Sequence, residues 1–313
     1  MNSILFPGQG SQVVGMGSDF YDNFDLVKDI FKGADQELNF SISKLILNGP
    51  EEKLQLTENT QPAIFVVSYS IFKVLEKELN LNLTEFKFFA GHSLGEYSAL
   101  ACSNSLAFDD ALYLLKERGK AMQEAVPVGK GNMLAILGST VEKIKKLIDL
   151  RSEKKGVCEI ANDNAEGQII VSGNKEDIES LKNLLKEERI KSIPLKVSAP
   201  FHCSLMESAS KKMEKKIEKI NFKKPFIKII SNVNAEPEDD PSKIKNFLIK
   251  QIYSTVRWRE TLVNMDKNGI KNFIEIGPGK ALTGMVKRTI NAANCFSINS
   301  ITDIKSLNDK FKR

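Results

Sequence analysis

The amino-acid sequence predicts an α/β protein in which a small domain of six short elements is inserted into a larger domain. Strand and helix patterns alternate in the first third of the chain and again after residue 198. Between these parts, from Gly131 to Val197, the pattern changes to short elements in the order β-α-β-β-α-β. We therefore expect residues 1–128 and 198–313 to form the large domain and residues 129–197 the small one.

Length and composition are those of a soluble globular protein. The 313 residues can bury one large core, or one core plus a smaller insert, and 42% of them are hydrophobic while 27% are charged. There is no run of eighteen apolar residues, and MNSILFPGQG lacks the basic and long apolar segments of a secretory signal, so we expect a cytoplasmic protein that does not bind membranes.

Cysteine, histidine and charge counts exclude several classes of site. The four cysteines have no CxxC spacing, which indicates reduced thiols, and the presence of only two histidines argues against a zinc site. The net charge of +5 comes from lysine-rich helices in which lysine alternates with glutamate, which is typical of a solvated face. Nothing resembles a nucleic-acid-binding module, although a weak positive field would help to recruit an acidic partner.

In the first part of the chain, periodicity predicts two strands and four helices. Thr60 is the expected N-cap of the second helix, with Pro62 in its first turn. The predicted elements are the strand Asn2–Phe6, the helices Asp25–Leu38 and Thr60–Leu79, a strand that starts at Phe86 and a helix that ends at Leu100, and the helix Asp109–Ala125.

The inserted region has the element order of the ferredoxin-like split unit. Its first helix follows a capping box that starts at Ser139, and its hairpin link is the turn-rich stretch Asp163–Gly167. The predicted elements are the strand MLAILGS, the helix Val141–Leu150, the strands Val157–Asn162 and Gln168–Ser172, the helix Lys175–Glu188 and the strand Lys191–Val197.

After the insert the α/β pattern resumes, and residues 305–313 are expected to form a loose tail. The predicted elements are a lysine-rich helix over SKKMEKKIEKI, the strand Phe226–Ile230, the helices Ser242–Tyr253 and Trp258–Asn268, the strand Asn272–Ile276, the helix Ala281–Ile290 and a last strand near Phe296.

The clearest chemical motif is the corner Gly91-His92-Ser93-Leu94-Gly95 between the strand and the helix. Two glycines flank the serine, as in a nucleophile elbow, where a strained turn exposes the serine hydroxyl. The backbone N–H of Leu94, at the start of the helix, would point to where negative charge develops on an attacked carbonyl. The motif favours acyl chemistry, and the alternative is a tight turn with an incidental serine.

A second loop, Pro7–Gln12, follows the first strand. It fits neither nucleotide fingerprint, because Val13 stands where GxGxxG needs a glycine and no GK[ST] follows. Glycines on both sides of Gln9 indicate a close backbone approach with its N–H free to donate, or an ordinary tight turn.

Arg118 is anomalous because it lies within the apolar stripe of the helix Asp109–Ala125. Burying a guanidinium without a partner costs several kcal/mol, so we expect it to meet a protein carboxylate or a ligand carboxylate or phosphate. A structural salt bridge, or a side chain that reaches the surface, is the alternative.

A serine nucleophile needs a base, and the chain offers two imidazoles. His92 adjoins Ser93 on a sharp turn, where neighbouring side chains diverge. His202, in APFHC near a helix start, is therefore the candidate, since the positive end of a helix dipole favours neutral imidazole. No acid partner is evident, so a backbone carbonyl could orient it, and a purely structural histidine remains the alternative.

Taken together, five motifs resemble those of the malonyl-CoA:acyl carrier protein transacylases of bacterial fatty acid synthesis. In order, they are FPGQGSQ from Phe6, GHSLGEYSAL from Gly91, LLKERGKAM around Arg118, APFHC around His202 and NFIEIGPG from Asn272. The resemblance implies an α/β-hydrolase-like large domain with a ferredoxin-like small domain.

The resemblance also implies a mechanism and a set of site residues. Ser93 would attack the malonyl thioester, His202 would accept its proton, and the backbone N–H groups of Gln9 and Leu94 would hold the oxyanion. Arg118 would bind the free malonyl carboxylate. CoA would leave, and the phosphopantetheine thiol of acyl carrier protein would take the malonyl group from serine.

Two further residues are assigned on the same resemblance. The main-chain carbonyl of Gln251, in KQIYSTVRW, would orient the catalytic histidine, and His92 would pack and help to shape the pocket. The substrates would be malonyl-CoA and holo acyl carrier protein, with no cofactor and no metal. Alternatives are a serine esterase or thioesterase with the same dyad, a polyketide-pathway acyltransferase, and an inactive carrier-protein docking module.

Overall fold

A computed structural model describes residues 1–151, 156–195 and 197–304. The strands are β1 Asn2–Phe6, β2 Phe86–Gly91, β3 Gly131–Leu137, β4 Cys158–Ala165, β5 Gln168–Asn174, β6 Lys191–Pro194, β7 Lys228–Ile230, β8 Pro237–Glu238, β9 Asn272–Ile276 and β10 Asn294–Ile298. The helices are α1 Ser18–Asn23, α2 Asp25–Leu38, α3 Ile42–Asn48, α4 Glu51–Leu54, α5 Thr57–Lys73, α6 Gly95–Cys102, α7 Phe108–Glu124, α8 Val141–Asp149, α9 Lys175–Glu187, α10 Glu207–Ile217, α11 Pro241–Gln251, α12 Trp258–Lys267 and α13 Ala281–Thr289.

The large sheet has the strand order β10-β9-β1-β2-β7-β8, and all neighbours are parallel except β7 and β8. Alternate residues of its strands face two separate layers of buried side chains. In β1, Ile4 and Phe6 face the larger core while Leu5 faces the smaller one. Burial on both faces explains why these strands read as continuous apolar runs.

A cluster of aromatic rings fixes the middle of the larger core. Phe6, Phe72 and Phe89 pack edge to face, with ring centroids 5.8 to 6.2 Å apart. All three side chains are fully buried, and each contributes about 1.5–3 kcal/mol through burial. The adjoining strands β1 and β2 are thereby held in register, which sets the positions of the loops that follow them.

The second sheet is antiparallel, with four strands in the order β4-β5-β3-β6. Helices α8 and α9 share a buried apolar cluster with it, formed by residues such as Ile136, Ile144, Val171 and Leu181. The elements follow one another as β3-α8-β4-β5-α9-β6, which is the order that the sequence predicts.

Most predicted elements agree with the structure to within a few residues, but three local predictions are wrong. Helix α5 starts at Thr57 rather than after Thr60, whose hydroxyl donates to the Leu54 carbonyl 2.6 Å away. The N-cap of α8 is Thr140 rather than Ser139, and its hydroxyl accepts from the Lys143 N–H at 3.2 Å. Strand β4 continues to Ala165, which leaves a two-residue turn instead of the longer link.

Sequence periodicity also missed several short elements, among them α1, α3, α4 and β8, because each is too short to show a period. The predicted tail over 305–313 lies outside the described residues, and so does Lys196 in the strand predicted over Lys191–Val197. Among the described residues, no helix has the length and apolar character needed to cross a bilayer.

Candidate active site

The site lies where three neighbouring strands of the large sheet end. Strands β1, β2 and β7 are adjacent and parallel, so their carboxyl ends meet at one edge, the usual ligand-binding edge of an open α/β sheet. The loops that follow them carry Gln9, Ser93 and Asn232. Residues of the small sheet, including Met133, cover the same pocket.

Ser93 occupies a strained corner between β2 and α6. Its φ is 53°, in the left-handed region that few non-glycine residues adopt. The flanking glycines are required by close packing: a Cβ on Gly91 would lie 1.9 Å from the Gly95 carbonyl carbon, and one on Gly95 would lie 2.2 Å from the Phe6 carbonyl oxygen. The corner therefore has the geometry of a nucleophile elbow.

His202 lies across the pocket from this corner and contacts the serine. Its Nε2 is 2.8 Å from Ser93 Oγ, and its Nδ1 is 2.8 Å from the backbone oxygen of Gln251. Because a carbonyl only accepts, Nδ1 carries the proton and Nε2 is left to accept from the serine hydroxyl. The tautomer is the one that a general base needs, and the backbone carbonyl of Gln251 fixes it.

The environment of His202 keeps the imidazole neutral. Burial, followed by the positive charge of Arg118, lowers the pKa of His202 from 6.5 to about 3. A helix dipole at this position predicts the same direction, but α10 begins only at Glu207, after a short 3-10 turn over Ser204–Met206. Desolvation and a neighbouring cation, rather than a helix end, are the main causes.

Arg118 extends from α7 into the same pocket and is 1% exposed. Its Nη2 donates to Ser93 Oγ at 3.0 Å and to Gln251 Oε1 at 2.9 Å, and its Nη1 donates to Gln61 Oε1 at 2.6 Å. Its buried Nε has no hydrogen-bond partner, and no carboxylate of the described residues forms an ion pair with it. Burial lowers the pKa of the guanidinium, which nonetheless stays charged at neutral pH.

Two backbone N–H groups in the pocket are candidates for an oxyanion hole. Gln9 and Leu94 both line the pocket beside Ser93. In residues 1–151, 156–195 and 197–304, neither N–H donates a hydrogen bond. The loop that carries Gln9 lies close to the elbow, since a Cβ on Gly8 would lie 2.6 Å from the His92 carbonyl oxygen.

His92 points away from its neighbour Ser93, as predicted for a sharp corner. Its Nε2 is 2.8 Å from Asn164 Oδ1 on β4, and its ring packs in a T-shaped arrangement with that of Trp258, with the ring centroids 5.5 Å apart. Burial lowers its pKa. The side chain therefore joins the elbow to the small sheet.

Four polar residues of this site were missed by the sequence analysis: Gln61, Glu96, Asn164 and Asn232. Asn232 accepts from the Ser93 N–H at 2.7 Å and donates from Nδ2 to the Gly91 carbonyl at 2.8 Å. Its signal was its position just after a parallel strand. Glu96 could have been noticed as a carboxylate in an otherwise apolar first turn, whereas Gln61 and Asn164 gave no local signal.

No group of three or more His, Cys, Asp or Glu side chains in the described part of the chain could hold a metal ion. The buried polar groups of the pocket comprise a hydroxyl, an imidazole, a guanidinium and amides. Such a set can activate an alcohol, stabilise an oxyanion and bind an anion.

Comparisons with known proteins agree with this geometry. Residues 4–310 match the model of the acyl transferase domain family. The malonyl CoA-acyl carrier protein transacylase of Bacillus subtilis is 43% identical over 287 residues, with 91% of this chain and 89% of the relative covered. The solved acyl-carrier-protein S-malonyltransferase of Bartonella henselae superposes with a TM-score of 0.96 at 37% identity, over 100% of this chain and 99% of that one.

A third similarity is to a chain in the structure of a type II PKS acyl-carrier protein in complex with its malonyl-transacylase. The TM-score is 0.95 at 35% identity, and 99% of each chain is covered.

Proposed function

Because this chain belongs to the acyl transferase domain family, we propose that it is a malonyl-CoA:acyl carrier protein transacylase. It transfers the malonyl group from malonyl-CoA to the phosphopantetheine thiol of acyl carrier protein through a malonyl-serine intermediate. The product supplies fatty acid synthesis with its extender unit.

One observation carries the substrate assignment: the buried guanidinium of Arg118 lies 3.0 Å from Ser93 Oγ without a carboxylate partner in the described residues. A buried cation with an unpartnered Nε is costly unless an anion binds there. An acyl group with a carboxylate at its far end meets this requirement, since its near end then reaches the serine. Acetyl and longer apolar acyl groups leave the cation without a counter-charge.

In the first half-reaction Ser93 Oγ attacks the thioester carbon while His202 Nε2 takes the hydroxyl proton. The C=O bond becomes a C–O⁻ oxyanion that accepts from the N–H groups of Gln9 and Leu94. The oxyanion re-forms C=O, the C–S bond breaks, and the CoA thiolate takes the proton from His202. A malonyl ester on Ser93 remains.

In the second half-reaction the phosphopantetheine thiol of acyl carrier protein repeats these steps in reverse. His202 takes the thiol proton, sulfur attacks the malonyl ester carbon, and the proton returns to Ser93 Oγ as the C–O bond breaks. Arg118 holds the malonyl carboxylate bidentately in both halves. His92 and Gln251 serve as packing and orienting residues, and the reaction uses neither cofactor nor metal.

The architecture that goes with this function is an α/β-hydrolase-like large domain over 1–128 and 198–313, with a ferredoxin-like small domain over 129–197. Its support is the strand order β4-β5-β3-β6, in which the first and third strands of the unit are central. The partners are acyl carrier protein and malonyl-CoA, without nucleic acid or membrane. Four free cysteines suit the proposed cytoplasmic location.

A second candidate function, service to a polyketide pathway, is favoured by the similarity to the malonyl-transacylase that is in complex with a type II PKS acyl-carrier protein. The chemistry is the same, and only the carrier protein differs. Comparing transfer rates to a fatty acid carrier and a polyketide carrier separates the two.

Mass spectrometry of the protein and its peptides tests the proposal. Malonyl-CoA should add one malonyl group to the peptide that contains Ser93, and Ser93→Ala should abolish the adduct. Addition of holo acyl carrier protein should then give malonyl-carrier. Accumulation of free malonate instead indicates a thioesterase, and absence of any adduct on Ser93 indicates a docking module.

A further inference from the structure

Glu96 is a buried carboxylate next to the elbow that the transfer mechanism above does not use. It lies in the first turn of α6, three residues after Ser93, and is 2% exposed. No lysine or arginine among the described residues forms an ion pair with it. Desolvation raises its pKa from 4.5 to about 7. A carboxylate in such a place is costly and calls for a physical reason.

Glu96 accepts from donors of distant segments: the Ser231 hydroxyl, whose hydrogen bond lowers its pKa, and two N–H groups. Its Oε2 accepts from Gln251 Nε2 at 2.7 Å and from the Asn232 backbone N–H at 3.0 Å. Asn232 in turn holds the backbone of the elbow through its contacts with Ser93 and Gly91. One carboxylate oxygen therefore ties α6 to the end of α11 and to the loop after β7.

Gln251 is the residue through which Glu96 reaches the reacting groups. Its backbone oxygen accepts from His202 Nδ1, and its side-chain Oε1 accepts from Arg118 Nη2 at 2.9 Å. Its Nε2 also donates to the Ser93 carbonyl at 3.1 Å. A carboxamide has one accepting end and one donating end, so the direction of this amide decides whether Arg118 meets an acceptor.

We propose that Glu96 is a positioning residue for acyl-group selection, which acts by holding the Gln251 amide with its oxygen toward Arg118. Because Glu96 Oε2 accepts from Gln251 Nε2, it holds Nε2 on its own side and leaves Oε1 for the guanidinium. If the acceptor is withdrawn, Nε2 keeps only its longer contacts with the Ser93 carbonyl at 3.1 Å and Asn232 Oδ1 at 3.4 Å. The amide then shifts toward these acceptors, and Nη2 loses the contact that sets its direction. Because Gln61 holds the other terminal nitrogen, Arg118 stays in the pocket but is poorly aligned with a carboxylate.

This inference rests on the proposed function. Two variants separate the effect of the length of the glutamate side chain from the effect of its charge. Glu96→Asp keeps the charge but withdraws the acceptor by one methylene. Glu96→Gln keeps the reach and one acceptor oxygen without the charge. The backbone carbonyl that orients His202 is intact in both variants, so the selection between acyl groups should change more than the nucleophile does.

The test measures the rate of Ser93 acylation with malonyl-CoA and with acetyl-CoA for each variant and compares the ratio of the two rates. We expect Glu96→Asp to lower the ratio at least tenfold and Glu96→Gln to keep it within about threefold of the wild type. A ratio that is unchanged in Glu96→Asp, or equally lowered in both variants, overturns the proposal, because the acceptor's reach would then not be what matters.

Gln251→Met provides a second route to the same answer should a Glu96 variant fold poorly, which circular dichroism and thermal unfolding report. It removes the amide but keeps the backbone carbonyl that accepts from His202. We expect the malonyl-to-acetyl ratio to fall at least tenfold, and an unchanged ratio contradicts the role of the amide. Failure of the wild-type protein to form any malonyl-serine would instead refute the proposed function, so the two failures are distinguishable.

Discussion

The proposed role of Arg118 makes the sharpest prediction, which concerns Arg118→Met. Methionine fills much of the same volume without a charge, so the change removes the carboxylate-binding group from a side chain that is 1% exposed. It also removes the donor to Ser93 Oγ and the donors to Gln61 and Gln251. These lost contacts affect every acyl substrate, whereas the lost carboxylate contact affects malonyl-CoA alone.

The expected size follows from the burial of the pair. Removing one partner of a buried, hydrogen-bonded charge pair costs about 2–5 kcal/mol, which is about a 30- to 5,000-fold loss. We therefore expect the ratio of kcat/KM for malonyl-CoA to kcat/KM for acetyl-CoA to fall by at least about 30-fold. Arg118→Lys should give an intermediate loss, because it keeps a cation but not the planar fork that binds a carboxylate bidentately.

The assay is stopped-flow or quenched-flow acylation of Ser93 with each acyl-CoA, followed by mass spectrometry of the serine peptide. Circular dichroism and thermal unfolding show whether the variant is folded, since two buried amide oxygens lose their donor. Equal losses for malonyl-CoA and acetyl-CoA in a folded variant would remove Arg118 from its assigned role. The reasoning about a buried cation without a protein counter-charge would then be wrong.

Two other predictions concern the elbow and the base. Gly95→Ala should destabilise the protein by at least about 3 kcal/mol in urea unfolding, because the new Cβ would lie 2.2 Å from the Phe6 carbonyl oxygen. The control is Gly33→Ala, which places its Cβ more than 4 Å from any other atom and should stabilise the protein by about 0.5–1 kcal/mol through helix propensity. Equal effects of the two substitutions would contradict the close approach at Gly95. In the folded protein the pKa of His202 is about 3, whereas in the unfolded chain it is 6.5. Below pH 6.5 the unfolded state therefore binds a proton that the folded state does not, and folding stability falls by about 1.4 kcal/mol per pH unit. Urea unfolding at pH 6.5 and 4.5 should therefore show His202→Asn losing about 2 kcal/mol less than the wild type over this range, because the unfolded imidazole is already half protonated at pH 6.5. Identical losses would show that the imidazole is not held neutral.

Much of the fold could be predicted from the sequence because its signals are local. The elements of the large sheet follow from apolar runs and helical periodicity, and β1, α2 and β9 have the predicted bounds. The start of α5 could not be read in this way, because Thr60 resembles an N-cap but its hydroxyl bonds to the preceding turn. Helices shorter than two turns gave too few positions for a period to emerge.

The candidate site was also predictable from the sequence only in part. The types and spacing of Gly91, Ser93 and Gly95 indicated a strained corner, and the place of Arg118 on an apolar stripe indicated a buried cation that needs an anion. Both inferences depend on neighbours along the chain, and the structure places both side chains in one pocket. Leu94, Gln9 and His202 were candidates from the elbow, from the glycines beside Gln9 and from the choice between two imidazoles, each with an alternative left open. The assignment of Gln251 rested on the resemblance to a known family alone.

By itself, the sequence determined which segments are buried, where the chain must turn and which residue types could perform acyl chemistry, because burial and backbone conformation depend on nearby residues. Tertiary structure alone decided which polar atoms meet. Ser93 lies 109 residues from His202 and 158 from Gln251, and Glu96 is 136 from Asn232, yet each pair is in hydrogen-bond contact. The order of strands in the large sheet and the packing of helices on it bring these atoms together, and no periodicity along the chain records that order.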